Sequence, residues 1–323
     1  MPLQRQGETA PTGLVLDSAF LLHDPGPGHS ESPDRYRAVR KALSHDALAG
    51  HLTHLTARAA TEEDLHLCHS RPYLATVRHD IARRSPALST GDTGLCEKSL
   101  DVALLAAGAA FTAVDAVMLG QVSNAFAAVR PPGHHATATR GMGFCIFNNV
   151  ALAARHARKV HGVDRVLIVD WDVHHGNGTQ DIFYEDSGVF FFSTHQSPWY
   201  PGTGSADEIG AGSGKGTTMN CPFHAGAGHA EIIGAFRRKL LPAMMSYKPD
   251  LVIISAGFDS RKGDPLGRFL LKDEDFRELT HIVMEIADHS AHGRVVSLLE
   301  GGYSLAGLAA GVTAHIEALL GLS

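Results

Sequence analysis

The chain has 323 residues, a formal net charge of −6, 44% hydrophobic residues and 19% charged residues. These are ordinary globular values, and they exclude a disordered or collagen-like chain and argue against nucleic-acid binding through a broad basic face. A chain of this length can bury a large core without disulfides, as one large domain or two small ones.

Strand-like runs alternate with helix-length segments along most of the chain. Several runs are continuously apolar, as in strands of a parallel sheet that is covered on both faces. The predicted strands are residues 13–16, 125–129, 166–170, 189–193, 251–255 and 295–299. The predicted helices are residues 99–119, with Ser99 as N-cap, and residues 149–161, 229–246, 273–289 and 304–320. The alternation predicts a single α/β domain over residues 1–323 with a mostly parallel sheet.

Other segments carry weaker signals. Residues 197–216 are rich in Gly, Ser and Pro and are predicted to form a long surface loop. Residues 1–12 are predicted to be a poorly ordered tail. The N-terminus lacks a signal-peptide pattern and no apolar run reaches the length of a membrane span, so we expect a cytoplasmic protein without membrane contact.

Cysteine and histidine usage differ sharply in this chain. The four cysteines are scattered without a Cys-x-x-Cys pair, which predicts neither a disulfide framework nor a thiolate zinc site. The 21 histidines are numerous, and most of them are expected to be ordinary surface or helix residues.

Four predicted strands are followed directly by residues that can carry chemistry. Ligands of open parallel sheets bind beyond the carboxyl ends of the strands, so these residues are expected to meet at one edge. In chain order they are His134 and His135, then Asp170, Asp172 and His174, then Asp259, and finally Tyr303.

Asp172 and His174 are candidate metal ligands. Residues two apart on an extended segment point the same way, so both side chains could face one ion. Imidazole and carboxylate suit zinc or iron(II), and Asp259 after another strand can complete a three-ligand set with open positions, as in catalytic sites. The alternative is a hydrogen-bonded loop turn.

The pair His134-His135 follows a Pro-Pro-Gly turn. Adjacent side chains of an extended chain point apart, so these imidazoles fit acid–base roles better than chelation of one ion. The alternative is a pair of structural histidines. His175 is expected to support its loop, and His195 is interpreted as a buried, hydrogen-bonded histidine.

Tyr303 follows Gly301-Gly302 at the end of the last predicted strand. A phenol near a metal can donate a hydrogen bond to a developing oxyanion. The alternative is a tyrosine that packs at the start of the following helix.

At these residues the sequence resembles the zinc-dependent histone deacetylase family, from about residue 14 to residue 320. Trp171, Asn177 and residues 200–204 are most similar to the class II branch and its bacterial histone deacetylase-like amidohydrolases. The resemblance implies the arginase–deacetylase α/β fold with a central eight-stranded parallel sheet. The motifs that carry it are residues 130–136, Gly143-Phe144-Cys145-x-Phe147-Asn148-Asn149, residues 170–180, residues 255–266 and residues 300–303.

The resemblance also implies a site. Asp172, His174 and Asp259 would bind one zinc ion. His135 would be the general base and acid, His134 paired with Asp170 would tune the site, and Tyr303 would polarise the amide carbonyl. Family members also bind potassium, at positions that match Asp170, Asp172, His174, Ser193 and Thr194. Asn177 stands where class I enzymes have an Asp.

The implied substrate is an acylated lysine in a peptide or protein, whose methylenes would lie between Phe144 and Tyr200 beside the Gly143 carbonyl. Acetylpolyamines are the alternative, because the family includes enzymes for these small acylated amines. The polyamine-specific eukaryotic relative has a Glu at the position of Leu266, and leucine offers no charge to a second ammonium. An alignment with a gap places Asp92 in the loop that contacts the substrate backbone.

Two hypotheses that assign the chain to other classes of protein remain open at this point. An arginase-like enzyme would hold two manganese ions with more carboxylates and would lack the tyrosine. A catalytically dead acyl-lysine binding module would have lost Tyr303 or a metal ligand, and none of these residues is missing here. The sequence is compatible with an oligomer as well as with a monomer.

Overall fold

The computed structural model describes residues 11–322, in which eight strands form one parallel sheet. The strand order is β2-β1-β3-β8-β7-β4-β5-β6, and every neighbouring pair is parallel. The strands are β1 Thr12–Val15, β2 Leu52–His54, β3 Asn124–Ala127, β4 Val166–Asp170, β5 Val189–Gln196, β6 Thr218–Phe223, β7 Leu251–Ala256 and β8 Val295–Leu299. This confirms the predicted α/β fold.

Helices flank the sheet. The longer helices are α1 Pro33–Leu43, α4 Arg71–Ala82, α5 Ser99–Met118, α6 Asn149–His161, α10 Asp273–Ser290 and α11 Leu305–Leu319. The shorter ones are α2 Asp46–Ala49, α3 Glu62–Leu65, α7 Asn177–Phe183, α8 His229–Ala235 and α9 Leu241–Tyr247, with 3₁₀ turns at Ser18–Leu22 and Gly212–Gly214.

Local signals explain where the main helices begin and end. The Asn148 side chain accepts from the Ala151 N–H and starts α6, which ends at Gly162 in the left-handed conformation with φ 66°. Ser304 caps α11 in the same way, so that helix begins one residue after its predicted start.

The predicted elements are matched within one or two residues at most ends, with four differences. Ser99 is the first residue of α5 rather than its N-cap, which is Lys98. The helix predicted over residues 229–246 is interrupted by a π turn at Phe236–Leu240, between α8 and α9. Strand β5 extends three residues further, to Gln196. Thr12 belongs to β1, and residues 1–10 of the predicted tail lie outside the described residues.

Strands β2 and β6 were not predicted, and both lie at the edges of the sheet. β2 has three residues, and β6 contains Pro222, which a strand tolerates at an edge because one side of its backbone is unpaired. Residues 197–216 form the predicted loop, interrupted by the short 3₁₀ turn.

The expectation that no apolar run could span a membrane was wrong for α5. By length and composition this 20-residue helix could cross a membrane, with a mean hydropathy of 1.7. In the fold it is a core helix, since about two thirds of it is buried, against α6, β3 and β1.

The topology places four strands side by side at the centre of the sheet. In the order β3-β8-β7-β4 they are the four strands after which the sequence carries histidines, aspartates and a tyrosine. Because all four run in the same direction, their carboxyl ends deliver these residues to one edge.

Candidate active site

A pocket of about 250 Å³ opens at this edge of the sheet. It brings together residues that follow strands β3, β4 and β8 and residues from four further loop segments. Its lining consists of Asp92, His135, Gly143, Phe144, His174, Trp199, Tyr200, Leu266 and Tyr303.

The predicted metal ligands form a tight buried group at the floor of this pocket. The nearest ligand atoms of Asp172, His174 and Asp259 all lie within 4.8 Å of one another. His174 Nδ1 lies 3.0 Å from Asp172 Oδ1 and 3.2 Å from Asp259 Oδ2. The two aspartates follow β4 and β7, which are neighbours in the sheet.

The chemistry of this group fits a metal ion. Asp259 Oδ2 is buried and has no hydrogen-bond partner of acceptable geometry, although it lies close to His174. Ligand atoms around a tetrahedral zinc lie about 3.3 Å apart for metal–ligand bonds of about 2.0 to 2.1 Å, which is close to the separations here. A side chain at Gly301 would collide with both carboxyl groups, so glycine leaves this cradle open.

Electrostatics also favours a cation between these groups. Burial raises the pKa of Asp259 to about 7, and the charge of Asp172 contributes to that increase. Burial alone would lower the pKa of His174, but its hydrogen bond to Asp172 and the adjacent Asp259 carboxylate raise it to about 10. Two carboxylates this close need positive charge beside them, which a proton or a metal ion can supply.

The two adjacent histidines have different partners. The His134 Nδ1 hydrogen-bonds to Asp170 Oδ2 at 2.9 Å, and the His135 Nδ1 to Asn177 Oδ1 at 2.8 Å. Their side chains do not point apart as expected, since the ring centroids are 4.0 Å apart. The segment is a turn and not an extended strand, which removes the alternation on which that expectation rested.

The surroundings of the two imidazoles shift their pKa values in opposite directions. Burial would lower the pKa of His134, but Asp170, Asp172 and Glu300 hold it well above its usual range. Burial and the nearby His134 and His174 hold the pKa of His135 well below its usual range. His134 is therefore a cation paired with Asp170, and His135 is a neutral imidazole facing the pocket.

Tyr303 closes the opposite side of the pocket. Burial raises its pKa well above the usual range, so the phenol keeps its proton. The Arg35 guanidinium lies 4.9 Å from the centre of the Tyr303 ring and donates to the Gly302 carbonyl at 2.6 Å. Asp264 accepts from the Tyr303 N–H at 2.7 Å and from the Ser304 N–H at 3.0 Å. The backbone on both sides of this tyrosine is thus fixed.

The predicted substrate residues line the walls of the pocket. The Tyr200 ring packs edge-on against His135 at 5.1 Å, and the Phe144 ring packs edge-on against Tyr303 at 5.9 Å. Phe144 has φ 67°, a left-handed conformation that is costly for an aromatic residue and typical of functional sites. Leu266 also lines the pocket, and its carbonyl accepts from the Trp199 Nε1 at 2.8 Å.

Asp92 lies at the same pocket, as the gapped alignment indicated. Its carboxylate accepts from the Gly143 N–H at 2.7 Å and lies 3.5 Å from the Tyr200 hydroxyl. Gly143 has φ 57°, and a side chain there would collide with the His135 ring.

The residues of the expected potassium site are buried and adjacent. Asp170 of β4 is in register with Ser193 of β5, and Thr194 follows it. The Ser193 hydroxyl hydrogen-bonds to His195 Nδ1 at 2.9 Å, and His195 is fully buried, as interpreted from the sequence. His175 supports its loop through Thr203 and Gln180. A potassium ion beside Asp170 stays a prediction.

Three further residues position the site, and the motifs in the sequence assign none of them a role. Glu300 accepts from the Gly133 N–H at 2.6 Å and the His134 N–H at 3.2 Å, and so holds the histidine turn. Asp264 and Arg35 hold Tyr303. The strand-end position of Glu300 was a usable signal, whereas Arg35 lies in α1 and 267 residues from its partner Gly302.

Comparisons with known proteins show the family to which this chain belongs. The sequence profile described as "Histone deacetylase domain" matches residues 29–319. The fold and this match together define an enzyme of the hydrolase class, a deacetylase or amidohydrolase. The chain belongs to the histone deacetylase family, which is zinc-dependent.

Three similar proteins illustrate the range of the family. The "Polyamine deacetylase HDAC10" of Homo sapiens is 41% identical over 95% of this chain, which spans 47% of the human protein. The "Histone deacetylase-like amidohydrolase" of Pseudomonas aeruginosa is 37% identical, with 97% of this chain and 87% of that protein covered. The crystal structure of the HDA15 HD domain superposes with a TM-score of 0.92 at 39% identity, over 98% of this chain and 90% of that one. These matches confirm the predicted family and fold.

Proposed function

We propose that this protein is a zinc-dependent deacylase that hydrolyses the side-chain amide of N-acyl-lysine in peptides or proteins. The observation that carries the proposal is that a neutral imidazole, a protonated phenol and the His174–aspartate group meet at one pocket with aromatic walls. His135, Tyr303 and His174 line this pocket together with Phe144 and Tyr200.

Asp172, His174 and Asp259 would hold the zinc ion, which when bound polarises the amide carbonyl and acidifies the attacking water. His135 accepts the proton of that water, because its low pKa keeps the imidazole neutral and its Nδ1 is held by Asn177. The imidazolium then donates the proton to the leaving lysine amine. Tyr303 donates a hydrogen bond to the oxyanion that forms on the carbonyl.

The shape of the pocket supports a long aliphatic amine as leaving group. Phe144, Tyr200 and Leu266 give the walls a largely apolar character, which suits the four methylenes of lysine. Of the residues that line the pocket, Asp92 carries the one carboxylate outside the metal group. That carboxylate already accepts hydrogen bonds from the Gly143 N–H and the Tyr200 hydroxyl, and so it is poorly placed to bind a second ammonium tightly.

Acetylpolyamine hydrolysis by the same mechanism is the second candidate. It is favoured by the 41% identity to the human protein named a polyamine deacetylase. A polyamine has a second cationic centre, and recognition of that charge at the pocket mouth would call for an acidic residue where this chain has Leu266.

The test compares kcat/KM of the zinc-loaded enzyme for acetyl-lysine peptides, longer acyl-lysine peptides, acetylputrescine and acetylspermidine. The proposal predicts the highest values for one of the acyl-lysine peptides. A preference of more than tenfold for a polyamine, about 1.4 kcal/mol in transition-state binding, would reverse the assignment.

A matched variant gives this comparison a control. Leu266→Glu should shift selectivity toward the acetylpolyamines by about tenfold, because the added carboxylate can pair with their second ammonium. Activity on acetyl-lysine peptides should fall far less, since the metal group, His135 and Tyr303 are unchanged.

A further inference from the structure

A second cluster of metal-ligating side chains lies away from the active site, between helices α5 and α6. Asp115 is on α5, three residues before its end, and His156 and His161 are on α6. Their ligand atoms also lie within 4.8 Å of one another. The candidate active site does not use these residues, because it is built at the carboxyl ends of the strands.

Both imidazoles point at the same oxygen. The Nε2 atoms of His156 and His161 lie 2.7 Å and 2.6 Å from Asp115 Oδ1. The two rings are inclined by 74° with centroids 5.9 Å apart, so they approach the carboxylate from different directions. Three side chains that converge in this way present one face of a coordination sphere.

The cluster combines a rigid part with an open part. His156 is stacked on Phe111 at 4.5 Å, which fixes its ring. The side chains of His156 and His161 are 6% and 13% exposed, whereas that of Asp115 is 36% exposed. The carboxylate therefore has room to move, and solvent can supply further ligands from its side.

Nearby cations do not compete for Asp115. Among the described residues no lysine or arginine forms an ion pair with it, and the α6 residues Arg155 and Arg158 both bind Asp186 instead. The carboxylate is left with two imidazoles, which are the partners that a transition-metal site requires.

We propose that Asp115, His156 and His161 form a second metal site, which binds a borderline divalent ion such as Zn²⁺. Two imidazoles and one carboxylate suit zinc and its first-row neighbours and disfavour Mg²⁺ and Ca²⁺, which prefer oxygen ligands. In the hydrogen-bonded arrangement protons lie between the ligand atoms, and a metal would displace them. The distances from the two Nε2 atoms to Asp115 Oδ1 would need to widen only to about 3.3 Å, which is the distance between two ligand atoms around a tetrahedral zinc ion.

Such an ion would join the C-terminal ends of α5 and α6. The alternative is that the three side chains serve as a hydrogen-bonded clamp between the same helices. The two cases differ in whether the protein binds one additional ion outside the active site.

The test is calorimetric titration of ZnCl₂ into enzyme that already carries one equivalent of zinc, with MgCl₂ as a parallel probe. We expect one further Zn²⁺ per chain and no comparable Mg²⁺ binding. Asp115→Asn and His161→Gln keep hydrogen-bonding groups, so the two helices should stay paired. Each variant should lower the affinity for the further Zn²⁺ at least tenfold, or by about 1.4 kcal/mol.

Two controls separate this site from other binding. His281→Gln, at an exposed histidine of α10, should leave the further equivalent unchanged. Asp259→Asn, titrated from the metal-free state, should still bind one Zn²⁺ with the affinity that the wild type shows for its further equivalent, so the result does not depend on the proposed function. The inference is overturned if no further equivalent binds, or if Asp115→Asn and His161→Gln bind it as tightly as the wild type.

Discussion

Two neighbouring histidines of this protein have opposite pKa shifts, because the groups around them differ. His134 and His135 are adjacent in sequence and their rings are 4.0 Å apart. The carboxylate of Asp170 stabilises positive charge on the first, and that charge together with burial keeps the second neutral. The motif predicts two acid–base histidines, but the division of roles depends on which partner the fold provides.

Tyr303→Phe tests the oxyanion role of the phenol. Removal of one oxyanion donor costs about 100- to 1,000-fold in turnover, and we expect a loss of that size in kcat. Zinc content should stay unchanged, because Tyr303 is not among the candidate metal ligands. A variant that keeps most of its turnover would contradict the role.

Asp264→Ala tests whether the position of Tyr303 depends on its backbone. Loss of the carboxylate leaves the Tyr303 and Ser304 N–H groups without their acceptor. A displacement of about 1 Å in a catalytic group can cost about 100-fold, so kcat should fall by up to that factor with little change in KM. The measurement is steady-state kinetics, with Asp207→Ala at an exposed loop position as control. Equal losses in both variants would contradict a positioning role for Asp264.

At the scale of elements, the central part of the fold follows from the sequence and the edges do not. β4 and β7 each contain a run of four apolar residues, β8 is apolar apart from Ser297, and the sheet buries all three strands completely. The edge strands β2 and β6 are partly exposed and lack such runs. The site residues could be predicted because they follow the buried strands directly.

The residues that support the site were harder to predict, because their partners are remote in sequence. Glu31 lies in the loop before α1 and accepts from Arg130, 99 residues away, at two distances of 2.8 Å. Arg35 extends the same buried cluster to the carbonyl groups of Gly302 and Glu300. No local pattern indicates these pairs, which tie the N-terminal segment to the ends of β3 and β8.

Glu31→Gln tests the contribution of this cluster to stability. Removal of one member of a buried ion pair costs about 3 to 5 kcal/mol, and we expect that loss in the free energy of unfolding by urea at pH 7. Asp34→Asn, in an exposed pair with Arg37, is the control and should cost less than about 1 kcal/mol.

The comparison of the wild type with Glu31→Gln also predicts how the free energy of unfolding depends on pH. Burial raises the pKa of Glu31, but Arg130 and His23 outweigh it and hold the pKa well below its usual range of about 4.5. The stabilisation is therefore present above the unfolded pKa and is lost as the pH falls through the folded pKa. The part of the difference between wild type and Glu31→Gln that comes from the Glu31 carboxylate should shrink as the pH falls below about 5. Glu31 also raises the pKa of His23, so the difference should decline as well when the pH rises and His23 loses its proton. A difference that grows as the pH falls below about 5 would contradict this account.

For the whole molecule, the central claim is that one edge of a parallel sheet forms a single metal-dependent catalytic centre. Few of the 21 histidines lie at this edge of the sheet. The described cysteines are all free, as predicted, and the candidate centre uses carboxylates and imidazole instead.

The most direct test of that claim is turnover of an acetyl-lysine peptide by chelator-treated protein while zinc is added back. We predict that the metal-free protein is inactive and that activity rises linearly to a plateau at one equivalent of zinc per chain. Asp259→Asn should not be restored by that equivalent. Full activity without metal, or restoration that requires two manganese ions per chain, would contradict the account.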